Sequence, residues 1–344
     1  MRKRISIKDV ALGAGVSVTT VSHVLNDVPG KRISDDTRTR VRQVAEELSY
    51  RPNGMARSLR LQRSNILALV SDHIATTPHA GQIILGAQEA ASKRGWLVML
   101  VNSGGDRETE RAEIRALQQR QVDGFLYATM FHQIVDVPAE LGDSPVTLLD
   151  ARCDDPRIPS VAPDEIQGGQ AATQLLLDHG HRRIGLINND EDIPATAGRL
   201  EGYLRALREA GIDPDDDLMV RGRSEASGGY VAGLALLGRT HRPTAIFCFN
   251  DRMAMGLYQA AAEHGLRIPE DLSVVGFDNQ ELIADGLRPG LTTVALPHYE
   301  MGAWAVETLI RRIEDPNTPS EQVLLRCPVV ERGSVAPPAV GPSG

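Results

Sequence analysis

Cysteine and aromatic side chains are both scarce in this chain. Three cysteines, Cys153, Cys248 and Cys327, are spread over 344 residues with no CxxC spacing. That spacing excludes a disulfide frame or a zinc site and points to a reduced, cytoplasmic protein. Phe, Trp and Tyr together make up 4% of the residues, so stacking platforms are few. Tyr127, Phe131 and Phe249 are candidates, though each reads first as core. No apolar run approaches the ~18 residues of a membrane span. The opening "MRKRISIKDVA" has positive charge but lacks the apolar segment of a signal peptide. Catalytic signatures are missing too: there is no HExxH, GxSxG or GxxxxGK[ST]. "GAGVSV" lacks the third glycine of a dinucleotide fingerprint and follows a helix. The nine histidines are scattered, and His179–His181 close a helix, where the dipole favours them. An enzyme, a cofactor and a metal site are therefore not expected.

What is present is an uneven distribution of charge. The formal net charge is −8, yet residues 1–63 carry 13 Lys and Arg against 6 Asp and Glu, a formal +7. The remainder carries 24 against 39, a formal −15. A basic module joined to an acidic one suggests a nucleic-acid reader attached to a domain with another task. The length calls for two or three domains.

Residues 1–50 hold three short helical patterns. "SIKDVALGA" starts at a Ser6 cap and sets Ile7, Val10, Ala11 and Ala14 on one stripe, with Gly13 expected to soften it. Gly15 then breaks to "GVSVTTVSHVLN". There Ser17 is the N-cap, Val21, Val24 and Leu25 share a face, and Val18, Thr19, Ser22 and His23 are left outside. The third pattern, "SDDTRTRVRQVAEELSY", opens at Ser34 or Asp35 and has Val41, Val44, Ala45 and Leu48 as its apolar face. Helix, short Gly-containing turn, helix is the form of a helix-turn-helix, and the third helix completes a small core. Residues 51–63, "RPNGMARSLRLQR", are basic and poor in apolar residues, a linker with marginal helical tendency weakened by Gly54.

From Ile66 onward, apolar runs such as "ILALV", "LVMLV", "VTLLD", "RIGLIN" and "LSVVGFD" alternate with helical stretches. Such alternation indicates βαβ units and a parallel sheet covered on both faces. The run is too long for one domain and divides near residue 163. The Pro/Gly/Ser-rich end, residues 334–344, is expected to be disordered. Ligands of open α/β sheets bind outside the carboxyl ends of the strands. Here those ends carry Asp72, Asp150, Asn188 with Asn189, Asn250 with Asp251, and Asp278 with Asn279. Any one of them could simply cap a helix. Five on one rim make a cleft of paired acceptors and amide donors, to which Arg199 in "AGRLEGY" adds a planar fork of donors. The vicinal hydroxyls of a sugar suit that set, and a cation or nucleobase could use it as well.

In this order the features resemble the lac repressor family of bacterial transcription regulators, over about residues 5–333. The likeness is carried by "IKDVA", "AGVS", "TVSHVLN", "TRTRVRQVAEELSYRPNGMARSLR", "VDGFLY", "GHRRIGLI", "GRLEGYLRAL", "RPTAIFCFNDRMAMG", "IPEDLSVVGFDN" and "LTTV". It implies an N-terminal all-α helix-turn-helix headpiece (1–50), a hinge helix or linker (51–63) and an α/β two-lobed, periplasmic-binding-protein-like core with parallel sheets (64–333). The lobes would span about 64–163 and 164–292, with the chain crossing back after 293.

The resemblance further implies a homodimer on a pseudo-palindromic, double-stranded DNA operator. Val18, Thr19 and His23 would meet base edges, Ser17, Thr20 and Ser22 would support the helix or touch the backbone, and Asn26 and Tyr50 would lie on the same surface. Many members carry Arg at the position of His23, so a bidentate guanine contact becomes a single, protonation-sensitive one. Leu59 matches the family's minor-groove wedge, flanked by Asn53, Ala56, Arg57 and Arg60. Arg199, Asn250 and Asp278 match effector-holding positions, while Asp72, His79 and Asp150 lie where other members line the cleft. Pro194 stands where the family's purine repressor has a base-contacting Arg, which counts against a purine. No leucine-heptad tail follows Arg332, so a tetramer-forming helix is not expected. The expectation is a repressor whose DNA affinity is controlled by a small molecule, a carbohydrate first. The alternatives are a co-repressed regulator answering to a nucleobase or other metabolite, and a solute-binding protein with no DNA role.

Overall fold

The computed structural model describes residues 5–25, 30–50, 63–77 and 81–339. Two compact units divide the chain, residues 1–64 and 65–344. The expected positions Asn26, Asn53, Ala56, Arg57, Leu59, Arg60 and His79 lie outside the described residues.

In the first unit, α1 (Ile7–Ala14), α2 (Val18–Leu25) and α3 (Asp35–Glu47) enclose a core of Val10, Ala11, Ala14, Val21, Val24, Val41 and Ala45. The Ser6 backbone N–H donates to Asp9 Oδ2 at 2.8 Å, which fixes the start of α1. Gly15 ends it at φ +63°, a left-handed conformation that a residue with no Cβ adopts without penalty. Ser34 Oγ caps α3 by accepting from Thr37 N at 3.3 Å, and Arg40 Nε ties α3 to the end of α1 through Ala14 O at 3.0 Å. Gly13 does not act as a weak point. A Cβ there would lie 2.7 Å from Val44 Cγ1, so the glycine is what lets α1 close onto α3.

The second unit begins with β1 (Ile66–Ser71), α4 (Gly81–Lys93), β2 (Leu97–Asn102), α5 (Arg107–Gln119), β3 (Gly124–Ile134), β4 (Val146–Arg152) and β5 (Ser160–Pro163). There follow α6 (Glu165–Asp178), β6 (Ile184–Asn189), α7 (Pro194–Glu209), β7 (Met219–Gly222), α8 (Ala226–Leu237), β8 (Ala245–Cys248), α9 (Asp251–Glu263), β9 (Ser273–Asp278), α10 (Glu281–Ala284) and β10 (Thr292–Ala295). Last come α11 (His298–Glu314), β11 (Gln322–Leu325) and β12 (Val329–Val330). The strands form two sheets, ordered β11-β5-β4-β3-β1-β2 and β12-β10-β9-β8-β6-β7. Pairing is parallel apart from β10 with β12. Strands buried on both faces explain the unbroken apolar runs of β1, β6 and β8.

Each sheet is one lobe, and in each the strand order reverses once, between β1 and β3 or between β6 and β8. Such switch points leave a crevice at the carboxyl ends of the strands. The chain passes from the first lobe to the second after Pro163, returns with α11 to the first, and goes back between β11 and β12. No described helix is long and apolar enough to cross a membrane.

The expectation of a disordered end from Ser334 is corrected by the structure. Ser334 is fully buried, its Oγ donating to Val274 O at 2.6 Å and accepting from Thr292 N at 2.8 Å. Ala336 N donates to Ser273 Oγ at 3.0 Å, and Ala336 O lies 2.9 Å from His181 Nε2. Composition pointed to a solvated tail, but backbone groups and a hydroxyl sewn into β9 and β10 outweigh it. Ending the chain at Gly333 should therefore lower the thermal midpoint, and Ser334→Ala alone should cost about 1–3 kcal/mol, because it strands two buried backbone groups. An unchanged melting curve for the truncated chain would return this segment to the disordered reading.

Candidate functional site

The headpiece presents its candidate reading face on α2. Ser17 Oγ accepts from Thr20 N at 3.0 Å and shares a hydrogen bond with Thr20 Oγ1 at 2.9 Å. The two hydroxyls therefore fix the helix start. Beside them Val18 and Thr19 are exposed, Ser22 and His23 are half-buried, and Val21 and Val24 face the core. Tyr50 packs against that core, with its N–H donating to Ala45 O at 2.8 Å. The arrangement leaves two short side chains and an imidazole within the first six residues of a short, rigidly capped helix.

In the second unit the carboxyl ends of the two sheets enclose a cavity of about 250 Å³. That is just below the ~300–1,000 Å³ of sites for drug-sized ligands, which leaves room for something the size of a monosaccharide or a nucleobase. The first lobe contributes Phe131, His132 and Asp150, and the second contributes Asn189, Arg199, Asn250 and Asp278. The structure thus brings together four of the six effector positions expected from the sequence: Asp150, Arg199, Asn250 and Asp278. Asp72 is half-buried and does not line the cavity, and its Oδ1 accepts from Ser71 Oγ at 3.1 Å and His73 N at 2.6 Å.

Arg199 organises the cavity. Its Nε donates to Glu165 Oε2 at 2.8 Å, Nη1 donates to Phe249 O, and Nη1 lies 3.5 Å from Asp278 Oδ1. The guanidinium carbon sits 3.7 Å from the Phe277 ring centroid and 4.3 Å from that of Phe249, so the cation is held against two ring faces. Glycines bring α6 and α7 close enough for this. A Cβ on Gly169 would meet Arg199 O at 2.5 Å, one on Gly202 would meet Ile166 O at 2.3 Å, and one on Gly198 would meet Glu165 Cβ at 2.5 Å. Burial pushes the Glu165 carboxyl above its ordinary range, and the adjoining guanidinium opposes that shift.

Asp150 stands at the end of β4 with φ +55°, a strained conformation for a non-glycine residue. Burial, followed by the nearby Glu165 charge, raises its pKa well above 3.8. His132 is buried on β3, and burial together with Arg152 and Arg199 lowers its pKa to about 4. Other strand-end groups serve the fold. Asn250 Oδ1 caps α9 through Met253 N at 2.8 Å, while its Nδ2 donates to Ser224 O at 3.1 Å. Asp251 accepts from Thr293 Oγ1 and Gln280 N, and Asn279 accepts from Arg332 Nη2 at 2.9 Å. Asn188 Nδ2 donates to Thr196 O at 3.1 Å.

Sequence reasoning missed Glu165, His132 and Phe277. Glu165 follows Asp164 at a helix start and looks like ordinary N-terminal acid. The signal that could have exposed it is the glycine pair Gly168–Gly169, a mark of close backbone approach.

With both sites described, the relationships of the chain become informative. Residues 6–53 match the bacterial regulatory proteins of the lacI family, and residues 173–335 match the periplasmic binding protein-like domain. The chain is 34% identical over 332 residues to the HTH-type transcriptional repressor PurR of Vibrio atlanticus (strain LGP32), covering 96% of this chain and 98% of that one. It is 35% identical over 331 residues to the ribose operon repressor of Escherichia coli (strain K12), covering 96% and 99%. The solved lac repressor dimer bound to operator and the anti-inducer ONPF superposes with a TM-score of 0.78 at 26% identity, covering 97% of this chain and 100% of that one. The chain belongs to the lacI family of bacterial regulatory proteins. It is a DNA-binding transcriptional repressor with a ligand-binding core.

Two outcomes test the site. Arg199→Ala strands a fully buried Glu165 and should cost about 3–5 kcal/mol in unfolding experiments. The double change Arg199→Met with Glu165→Leu should recover most of the loss. In the folded protein Asp150 keeps a proton that the unfolded chain gives up above about pH 4, so stability falls as pH rises towards the folded pKa. Asp150→Asn removes that penalty. Its thermal midpoint should exceed the wild type's by a margin that widens as pH rises above about 4, and a constant margin would mean that Asp150 titrates normally.

Proposed function

We propose that this protein is a cytoplasmic, homodimeric repressor that releases a pseudo-palindromic operator when a sugar fills the cleft between its lobes. The observation that carries the reading is the cavity itself. Strand-end polar groups from both lobes converge there on one immobilised guanidinium, so a bound ligand touches both lobes at once. A ligand that favours one lobe angle shifts the equilibrium between angles by its differential affinity, and the DNA-bound geometry responds by the same coupling free energy.

On DNA, α2 enters the major groove with Val18, Thr19 and His23 at base edges, while Ser17, Thr20 and Ser22 hold the helix or meet phosphates. Asn26, Tyr50 and the 51–63 segment, with Leu59 as wedge and Asn53, Ala56, Arg57 and Arg60 beside it, complete the interface by family likeness. Two-fold pairing is supported by apolar groups left open to solvent. Leu97 and Leu100 lie on the edge strand β2, and Leu85 on α4 is exposed as well. The name of the ribose operon repressor and the operator-bound lac repressor dimer favour a sugar and a dimer here too. Pro194 speaks against a purine, and it lines a neighbouring groove rather than the cavity.

The test is fluorescence anisotropy on an operator duplex obtained by selection. Val18→Ala and Thr19→Ala should each weaken binding by about 1–3 kcal/mol and relax preference at one base pair. Saturating ribose, or another sugar that raises the melting temperature, should lower operator affinity. A ligand that raises it instead would establish the co-repressed reading.

A further inference from the structure

Four polar atoms of the cleft lining are buried and have no hydrogen-bond partner among the described residues: Oδ1 of Asp150, both ring nitrogens of His132 and Nε of the half-buried Arg252. Asp150 and His132 are the two whose whole residues are buried. The two residues are 2% and 7% exposed. Both line the same cavity from neighbouring strands, His132 on β3 and Asp150 on β4, where the β3–β4 register shifts between Ala128 and Gln133. Native proteins rarely leave buried polar groups unsatisfied, and a cluster of them facing one cavity marks what a ligand completes. Two other polar side chains there are already engaged. Arg199 is taken up by Glu165, Asp278 and Phe249 O, and Asn250 is taken up by its helix cap and Ser224.

We propose that His132 and Asp150 form a hydroxyl-reading pair that selects an uncharged, unphosphorylated sugar, with His132 as its specificity-determining member. The proposal rests on reading the cavity as the effector site. A neutral imidazole offers one donor and one acceptor, and a protonated carboxyl offers the same. Together they match two hydroxyls of one ligand, each of which both gives and takes a hydrogen bond. Both neutral forms agree with the direction in which burial moves the two groups. The rest of the lining opposes an anion, since Glu165, Glu191, Glu225 and Asp278 outnumber Arg199 and Arg252. A phosphate or carboxylate would enter a cavity whose carboxylates outnumber its two arginines, the deeper of which, Arg199, is already paired.

The experiment has two arms on the full chain. In the ligand-free arm, His132→Leu replaces two unpartnered nitrogens with carbon and should raise the thermal midpoint. A lowered midpoint would mean that the ring serves the fold, and would overturn the proposal. In the ligand arm, ribose, glucose, galactose and cellobiose are titrated beside ribose 5-phosphate, glucose 6-phosphate and adenine. At least one neutral sugar should bind, and its phosphate should bind at least about tenfold more weakly, the equivalent of one lost hydrogen bond. For that sugar, His132→Leu should cost about tenfold or more, while His132→Gln, with one donor and one acceptor, should recover most of it. Asp150→Asn keeps a neutral donor and acceptor and tolerates φ +55°, so it should stay within about threefold. A phosphate that binds as tightly as its parent sugar overturns the assignment, as does sugar binding indifferent to His132. Binding of adenine alone overturns the sugar reading of the cleft, and the ligand-free arm then still decides whether His132 is held unpartnered for a ligand.

Discussion

A single buried guanidinium holds the ligand-binding unit in its working geometry. Arg199 sits against two phenylalanine rings and ties Glu165, the first residue of α6, to the strand end at Asp278. A buried charge is tolerable only when paired and hydrogen-bonded, so this arginine dictates its surroundings. It requires glycines at 169, 198 and 202 to admit its helix, a carboxylate beneath it, and a free carbonyl at Phe249. Phe249 O accepts from the guanidinium, and the very next residue, Asn250, caps α9, so cavity and scaffold share one turn of chain.

That sharing explains why the strand-end polar groups divide into two kinds. Asn188, Asn279 and Asp251 look outward in sequence as Asn250 and Asp278 do, yet they close turns and fasten neighbouring elements. Asp150 and His132 do the opposite. Asp150 Oδ1 and both His132 ring nitrogens are buried with no hydrogen bond among the described residues, which is a common signature of a place kept ready for something else.

Much of this was legible in the sequence. Apolar stripes at helical spacing revealed the headpiece helices, unbroken apolar runs between helical stretches revealed the alternating α/β order, and Ser17 and Ser34 fixed helix starts because a cap is a local hydrogen bond. Arg199, Asp150 and Asp278 could be placed on the cleft because strand ends in such folds share one rim. What escaped was non-local. Glu165 became a partner only when two helices crossed through glycines, and His132 acquired significance only through the absence of neighbours, which no linear pattern records. The end of the chain was misread for the same reason: "SVAPP" is loop-like in composition, but its backbone and the Ser334 hydroxyl bond to a strand about sixty residues upstream.

The threefold passage of the chain between lobes has a consequence for how the molecule comes into being. The core of the first lobe, built on Leu67, Leu69 and Leu126, is not closed until Met301, Ala305, Leu309 and Ile310 of α11 arrive. During synthesis at ~5–20 residues per second, those apolar strands wait some ten seconds or more for their last covering helix. A nascent chain of this design presents unfinished surface to chaperones for most of its time on the ribosome, whereas the N-terminal helices complete their own core early. The part that reads DNA is therefore folded well before the part that decides when it should let go.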